Sequence, residues 1–129
     1  MKELTDLVEK AGRFLRTAER AASDGDYDSC ASRCYYAMFF MAEAALLTKQ
    51  LQASSHRGII NMFGKHLVKP GIFDKHLGSV LNNAYDKRLV GDYAVGLAIT
   101  REEAKHLLSE TRDFVERVRE YLDQWMDEK

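Results

Sequence analysis

Apolar residues recur at three- and four-residue intervals along most of this chain, the spacing of one face of an α-helix and not the alternation of a strand. Leu4, Leu7, Val8, Ala11, Leu15 and Ala18 form one such stripe and predict a helix over about Lys2–Ser23. Asp24-Gly25-Asp26 follows, with glycine where a helix commonly ends in a left-handed residue. The next stretch, about Tyr27–Lys49, is different. Its centre, CYYAMFFMAEAALL, is apolar on nearly every side. Such a helix lies buried between neighbours, so it is expected at the centre of a bundle, with some surface left for a dimer contact.

Ser54 and Ser55 are candidate caps for a third helix over about His56–Val68, which Lys69-Pro70-Gly71 terminates. A fourth helix is predicted over about Phe73–Val90, broken by Gly91-Asp92-Tyr93 through Gly96. Thr100-Arg101-Glu102-Glu103 has the form of a capping box. Behind it Ala104, Leu107, Leu108, Thr111, Val115, Val118, Leu122 and Trp125 make a stripe running to the C-terminus. Long amphipathic helices on short connections pack antiparallel to their neighbours. The expected architecture is an all-α, up-and-down antiparallel bundle of about five helices, in one domain spanning all 129 residues.

At 46% hydrophobic and 30% charged, the composition is that of a folded chain. A bundle of this length is only marginally able to bury its apolar surface alone, which makes a homodimer the expected state. The longest apolar run, Cys34–Ala42, is far short of the roughly 20 residues that span a bilayer. MKELTDLVEK is charged and amphipathic, with no apolar signal region, so a cytoplasmic protein without membrane contact is expected.

The net charge of −1 conceals an uneven distribution. Residues 49–88 carry seven Lys/Arg (Lys49, Arg57, Lys65, Lys69, Lys75, Lys87, Arg88) against Asp74 and Asp86, a surplus of five, with His56, His66 and His76 in the same stretch. Residues 101–129 carry six basic and nine acidic side chains. The basic middle suits a phosphate-bearing partner, and equally suits a solvated surface that balances acidic helices elsewhere.

No metal or cofactor is expected. A carboxylate-bridged metal site in a bundle needs two Glu-x-x-His motifs, and only Glu103–His106 is present, with Glu103 already used by the capping box. Cys30 and Cys34 share a helical face without the further ligands that zinc requires, and are expected to be buried as small apolar side chains. Glycine-rich phosphate loops and nucleophile elbows are absent.

Two stretches carry candidate chemistry. In Ser32-Arg33-Cys34-Tyr35-Tyr36-Ala37-Met38-Phe39-Phe40 a cation enters an apolar helix, which requires a rim position or a carboxylate partner. Tyr85-Asp86-Lys87-Arg88-Leu89-Val90-Gly91-Asp92-Tyr93 gathers basic, acidic and phenolic groups at a helix end, as a site would or as a structural Arg88–Asp92 ion pair would.

With these stretches in view, the chain resembles the HEPN family (higher eukaryotes and prokaryotes nucleotide-binding). In particular it is similar to small stand-alone prokaryotic members encoded beside a minimal nucleotidyltransferase. SRCYYAMFFMAEAALL, SSHRGIINMFGKHLVKPG, KRLVGDYA and TREEAKHLL through RDFVERVREYL carry the likeness, in the family's order, over about residues 5–122. The resemblance implies a bundle that dimerises so that the ends of the fourth helices meet in one cleft. In ribonuclease members an Arg, followed after four to six residues by His, supplies the catalytic pair. Arg88 matches that arginine, while Asp92 or Tyr93 stands where the histidine belongs. Unperturbed Asp titrates near 4 and Tyr near 10, so neither duplicates imidazole at neutrality. Some relatives carry a tyrosine near this motif that the partner transferase adenylylates, and Tyr93 is the nearest candidate. The resemblance thus implies an RNA- or nucleotide-directed effector of a toxin–antitoxin-like pair, or a non-catalytic module that binds nucleotide or RNA and assembles with the transferase. Arg88, Asp92 and Tyr93 are its expected catalytic residues, and Arg33, His56 and Lys87 its expected substrate contacts.

Overall fold

The computed structural model describes every residue except Met1, Ala94, Gly96, Leu97 and Lys129. Five α-helices account for most of them: α1 (Lys2–Ser23), α2 (Tyr27–Leu47), α3 (His56–Phe63), α4 (Lys75–Tyr93) and α5 (Arg101–Asp127). A π-helical turn, Gly64–Val68, continues α3, and no strand occurs among the described residues. The expected all-α bundle is present.

Twelve of the 21 residues of α2 are buried against three of the 22 in α1, which makes α2 the central helix. It packs against α1, α3, α4 and α5. Cys30 and Cys34 are buried and unbridged, as their apolar surroundings imply. No described helix is long and apolar enough to cross a membrane.

Local chemistry sets the helix ends. α1 stops where Gly25 (φ +80°) turns left-handed, so that Gly25 N–H donates to the Ala22 carbonyl and Asp26 N–H to that of Ala21. Asp26 then caps α2 by accepting from the Ser29 N–H at 3.2 Å. The same hydrogen-bond pattern closes α2, with Gln50 N–H donating to Leu47 and Leu51 N–H to Leu46. Here the left-handed position is held by Gln50 (φ 59°), the only non-glycine residue with positive φ among those described.

Of the two candidate serines, Ser55 caps α3, accepting from the Gly58 N–H at 3.0 Å. Beyond Phe63 the helix widens, with Lys69 N–H reaching the Gly64 carbonyl five residues back. The third helix therefore spans its predicted length in two forms. α4 begins slightly later than predicted, because the Asp74 carboxylate accepts from the His76 and Leu77 N–H groups. At the start of α5, the Thr100–Glu103 capping box forms as the sequence implies.

The end of α4 corrects an expectation. Gly91-Asp92-Tyr93 does not break the helix but forms its last turn. Gly91 serves close packing: a β-carbon there would lie 2.9 Å from the Asp28 carbonyl oxygen, so α4 crosses the start of α2 only without a side chain. Asp28 also accepts from the Ile99 N–H at 3.0 Å through its carboxylate. Gly96, the far end of the expected break, and Ala94, the last residue of KRLVGDYA, lie outside the described residues.

Candidate functional site

Where α2, α3 and α4 come together, each helix contributes ring or cationic side chains to one cluster. Tyr35 and Phe39 lie one turn apart on α2 with Tyr36 beside them, Tyr85 and Arg88 lie one turn apart on α4, and His56 opens α3. Buried Leu81 and Ala84 press this stretch of α4 toward the core.

The Arg88 guanidinium lies over three rings, with Cζ 5.4 Å from the centroid of Tyr35, 5.8 Å from Tyr36 and 5.3 Å from Tyr85. Each such contact is worth roughly 0.5–2 kcal/mol, more where water is excluded. Among the described residues its ion pair is a long one, Nη1 to Asp92 Oδ2 at 3.3 Å, and its buried Nε–H meets no acceptor. The side chain is only 12% exposed. Burial opposes the charge, but Tyr36, Asp92, Tyr35 and Tyr85 outweigh it and hold the guanidinium above its usual pKa.

His56 uses the same tyrosines. Its ring stacks on Phe39 (4.4 Å, 20° between planes) and lies 5.6 Å from Tyr35, 5.7 Å from Tyr36 and 6.5 Å from Tyr85. Nδ1 shares a 2.7 Å hydrogen bond with the Tyr35 hydroxyl. Burial, with the Arg88 charge behind it, lowers the His56 pKa below its usual value, so the neutral imidazole prevails near neutrality. Tyr35 is fully buried, and that desolvation pushes its phenol well above the usual range. Arg57 adds a second cation, 4.9 Å above the Tyr85 ring.

Arg88, Asp92 and His56 are thus brought together. Arg33 is not among them: it is exposed and lies over Phe14 at 5.2 Å. Lys87 pairs instead with Glu103 of α5. Tyr93, at the last position of α4, is 75% exposed. Tyr35, Tyr36 and Phe39 fall in the first candidate stretch and Tyr85 opens the second, but neither they nor Arg57 are among the expected site residues, because aromatics in an apolar run read as core. One signal was available: Tyr85 precedes Arg88 by three residues, the spacing that places a ring beneath a cation on a helix surface.

No group of three or more His, Cys, Asp or Glu that could hold a metal occurs among the described residues. Glu103, the sole Glu-x-x-His carboxylate, is held by Lys87 first and by Thr100, which bring its pKa down to about 2. What the cluster offers chemically is a weakly paired guanidinium, an imidazole and several phenols, a set suited to a phosphoryl group.

The model of the HEPN domain family matches residues 4–121. A protein of Methanocaldococcus jannaschii, named as a candidate toxin, is 36% identical over 121 residues, which are 94% of this chain and 82% of that one. The UPF0332 protein of Gloeobacter violaceus is 33% identical over 123 residues, covering 95% of this chain and 98% of its own. The crystal structure of TT1696 from Thermus thermophilus superposes with a TM-score of 0.78 over 93% of this chain and 98% of that one. At 20% identity, that last likeness is one of fold.

Proposed function

This chain belongs to the HEPN domain family, and from that membership we propose that it is the effector half of a toxin–antitoxin-like pair, acting on RNA or a nucleotide in a cleft where two copies of the chain meet. The observation that carries this reading is the state of Arg88. Its guanidinium is fixed by three tyrosine rings while its carboxylate partner, Asp92, stands at 3.3 Å, so its position does not depend on a tight ion pair. A cation anchored through its π face keeps N–H donors for another anion, and the charge building on phosphoryl oxygens in a transition state is the natural recipient. The candidate-toxin name of the relative and the basic stretch 49–88 support the same direction. Asp92 orients Arg88 in this reading, and Tyr93 lies exposed at the rim, open to a substrate or to a modifying nucleotidyltransferase.

The test is cleavage of a mixed RNA pool, without added metal, by the wild type and by Arg88→Ala. Cleavage that disappears in the variant supports the effector reading. A second reading, a non-catalytic nucleotide- or RNA-binding module that assembles with a nucleotidyltransferase, is favoured by one observation. The segment after Arg88 holds Asp92, already turned to Arg88, and no imidazole. Inactivity of both proteins combined with Arg88-dependent nucleotide binding selects this second reading. Absence of cleavage and of binding overturns both.

A further inference from the structure

We propose that His56, thirty-two residues before Arg88 in the chain, supplies the imidazole that the Arg88 segment lacks, with Tyr35 as the residue that positions it. This assignment rests on the effector reading and adds its proton acceptor. Arg88 and His56 come from different helices yet both lie against Tyr35, Tyr36 and Tyr85, and the Arg88 charge reaches the imidazole. The ring is held on two sides, by the Phe39 stack at 4.4 Å and by the 2.7 Å bond from Nδ1 to Tyr35. In the tautomer where Nδ1–H donates to the Tyr35 oxygen, Nε2 carries the lone pair that a base needs. A general base needs this arrangement, one nitrogen engaged by an orienting group and the other unprotonated.

The step is a transphosphorylation within RNA. Nε2 takes the proton of a ribose 2′-hydroxyl, and the 2′-oxygen bonds to the adjacent phosphorus. The bond from phosphorus to the 5′-oxygen breaks, and that oxygen takes a proton from water. The products are a 2′,3′-cyclic phosphate and a 5′-hydroxyl, and His56 later returns its proton to solvent. In the imidazolium, Nδ1–H donates to the Tyr35 oxygen, which burial keeps a neutral phenol. Arg88 stabilises the phosphoryl oxygens. The charged and titratable groups facing the imidazole are Tyr35 and Tyr36 from α2 and Tyr85 and Arg88 from α4, with Arg57 next to it on α3. None is a carboxylate, so nothing in this set holds the ring protonated.

The experiment compares wild type, Arg88→Ala, His56→Ala and Tyr35→Phe on a short RNA, with kcat and KM measured from pH 5 to 8. His56→Ala is expected to lower kcat on the order of a hundredfold or more with little change in KM, and to erase the acid limb of the profile. Added imidazole should restore part of the rate. Tyr35→Phe should lower kcat about tenfold and move the acid limb, because the imidazolium loses its acceptor. A His56→Ala protein that keeps the wild-type rate and acid limb, while Arg88→Ala is inactive, overturns the His56 assignment and leaves the effector reading standing. A wild type that cleaves nothing overturns both. A second readout guards against misfolded variants: in the wild type, the His56 ring 15N signals should shift on adding cytidine 3′-monophosphate. Unmoved signals overturn the assignment.

Discussion

Gly91 lies against the backbone of Asp28, so close that a β-carbon on it would approach the Asp28 carbonyl oxygen to 2.9 Å. A methyl group at this crossing has to push α4 away from the start of α2, because backbone cannot rotate aside as a flexible side chain does. Gly91→Ala should therefore destabilise the fold by about 1–3 kcal/mol despite the better helix propensity of alanine. Thermal unfolding measures it, and an unchanged Tm would mean that the contact is slack.

Gly64 is the control for that substitution. Its backbone is helical (φ −61°, ψ −47°) and a β-carbon there meets nothing within 4 Å. Gly64→Ala should stabilise by roughly 0.5–1 kcal/mol through the entropy of the unfolded chain. A loss of similar size would show that the π-helical turn needs glycine for a reason other than space.

Gln50 occupies the left-handed position that Gly25 fills at the other reversal of α2. L-residues pay about 1 kcal/mol or more for that conformation. Gln50→Gly is expected to raise stability by several tenths of a kcal/mol, and Gly25→Ala to lower it by about 1 kcal/mol. Denaturant midpoints of the pair should move in opposite directions.

The His56 imidazole titrates below its usual 6.5 because of burial and then the Arg88 charge. Folding thus favours the neutral ring, and the unfolded chain is the first to take up the proton as pH falls. The stability due to His56 is complete above about 6.5 and is lost as pH drops through the lower folded value. Arg88→Gln removes one of the two causes and should raise the His56 pKa toward 6.5 in an NMR titration. A pKa that stays in place would mean that the arginine does not influence the ring.

Glu103 works in the opposite pH range. Held down to about 2 by Lys87 and Thr100 against an ordinary 4.5, it contributes stability above pH 4.5 and loses it between there and about 2. Lys87 is the larger cause, but a partly exposed pair adds little stability, so the cap residue is the informative one to change. Thr100→Ala should cost about 1 kcal/mol at neutral pH. Glu103→Gln should fall below wild type at pH 7 and equal it at pH 2 in urea unfolding. Equal stability at both values would remove the carboxylate from the account.

Period and caps made the fold legible in the sequence. The stripe from Leu4 to Ala18, the all-round apolar α2 and the Thr100 box each state a local rule that tertiary packing then obeys. The end of α4 could not be read this way, because Gly91 answers to Asp28, sixty-three residues away, and glycine alone does not distinguish a break from a close crossing. The site was half legible for the same reason. Arg88 and Asp92 lie one turn apart and can be read as a pair, whereas His56 reaches Arg88 only through tyrosines that look like ordinary core residues in an apolar run. Arg33 is a candidate because its stretch lies on a helix expected to flank the fourth, and Lys87 because it adjoins Arg88. Phe14 and Glu103, which engage them, lie on α1 and α5.

Asp28 holds the chain twice, its carbonyl against Gly91 and its carboxylate on the Ile99 amide. Gly91 and Ile99, eight positions apart in the chain, therefore meet α2 at the same residue. A change at Asp28 is therefore felt at two places in the chain at once, the last turn of α4 and the approach to α5.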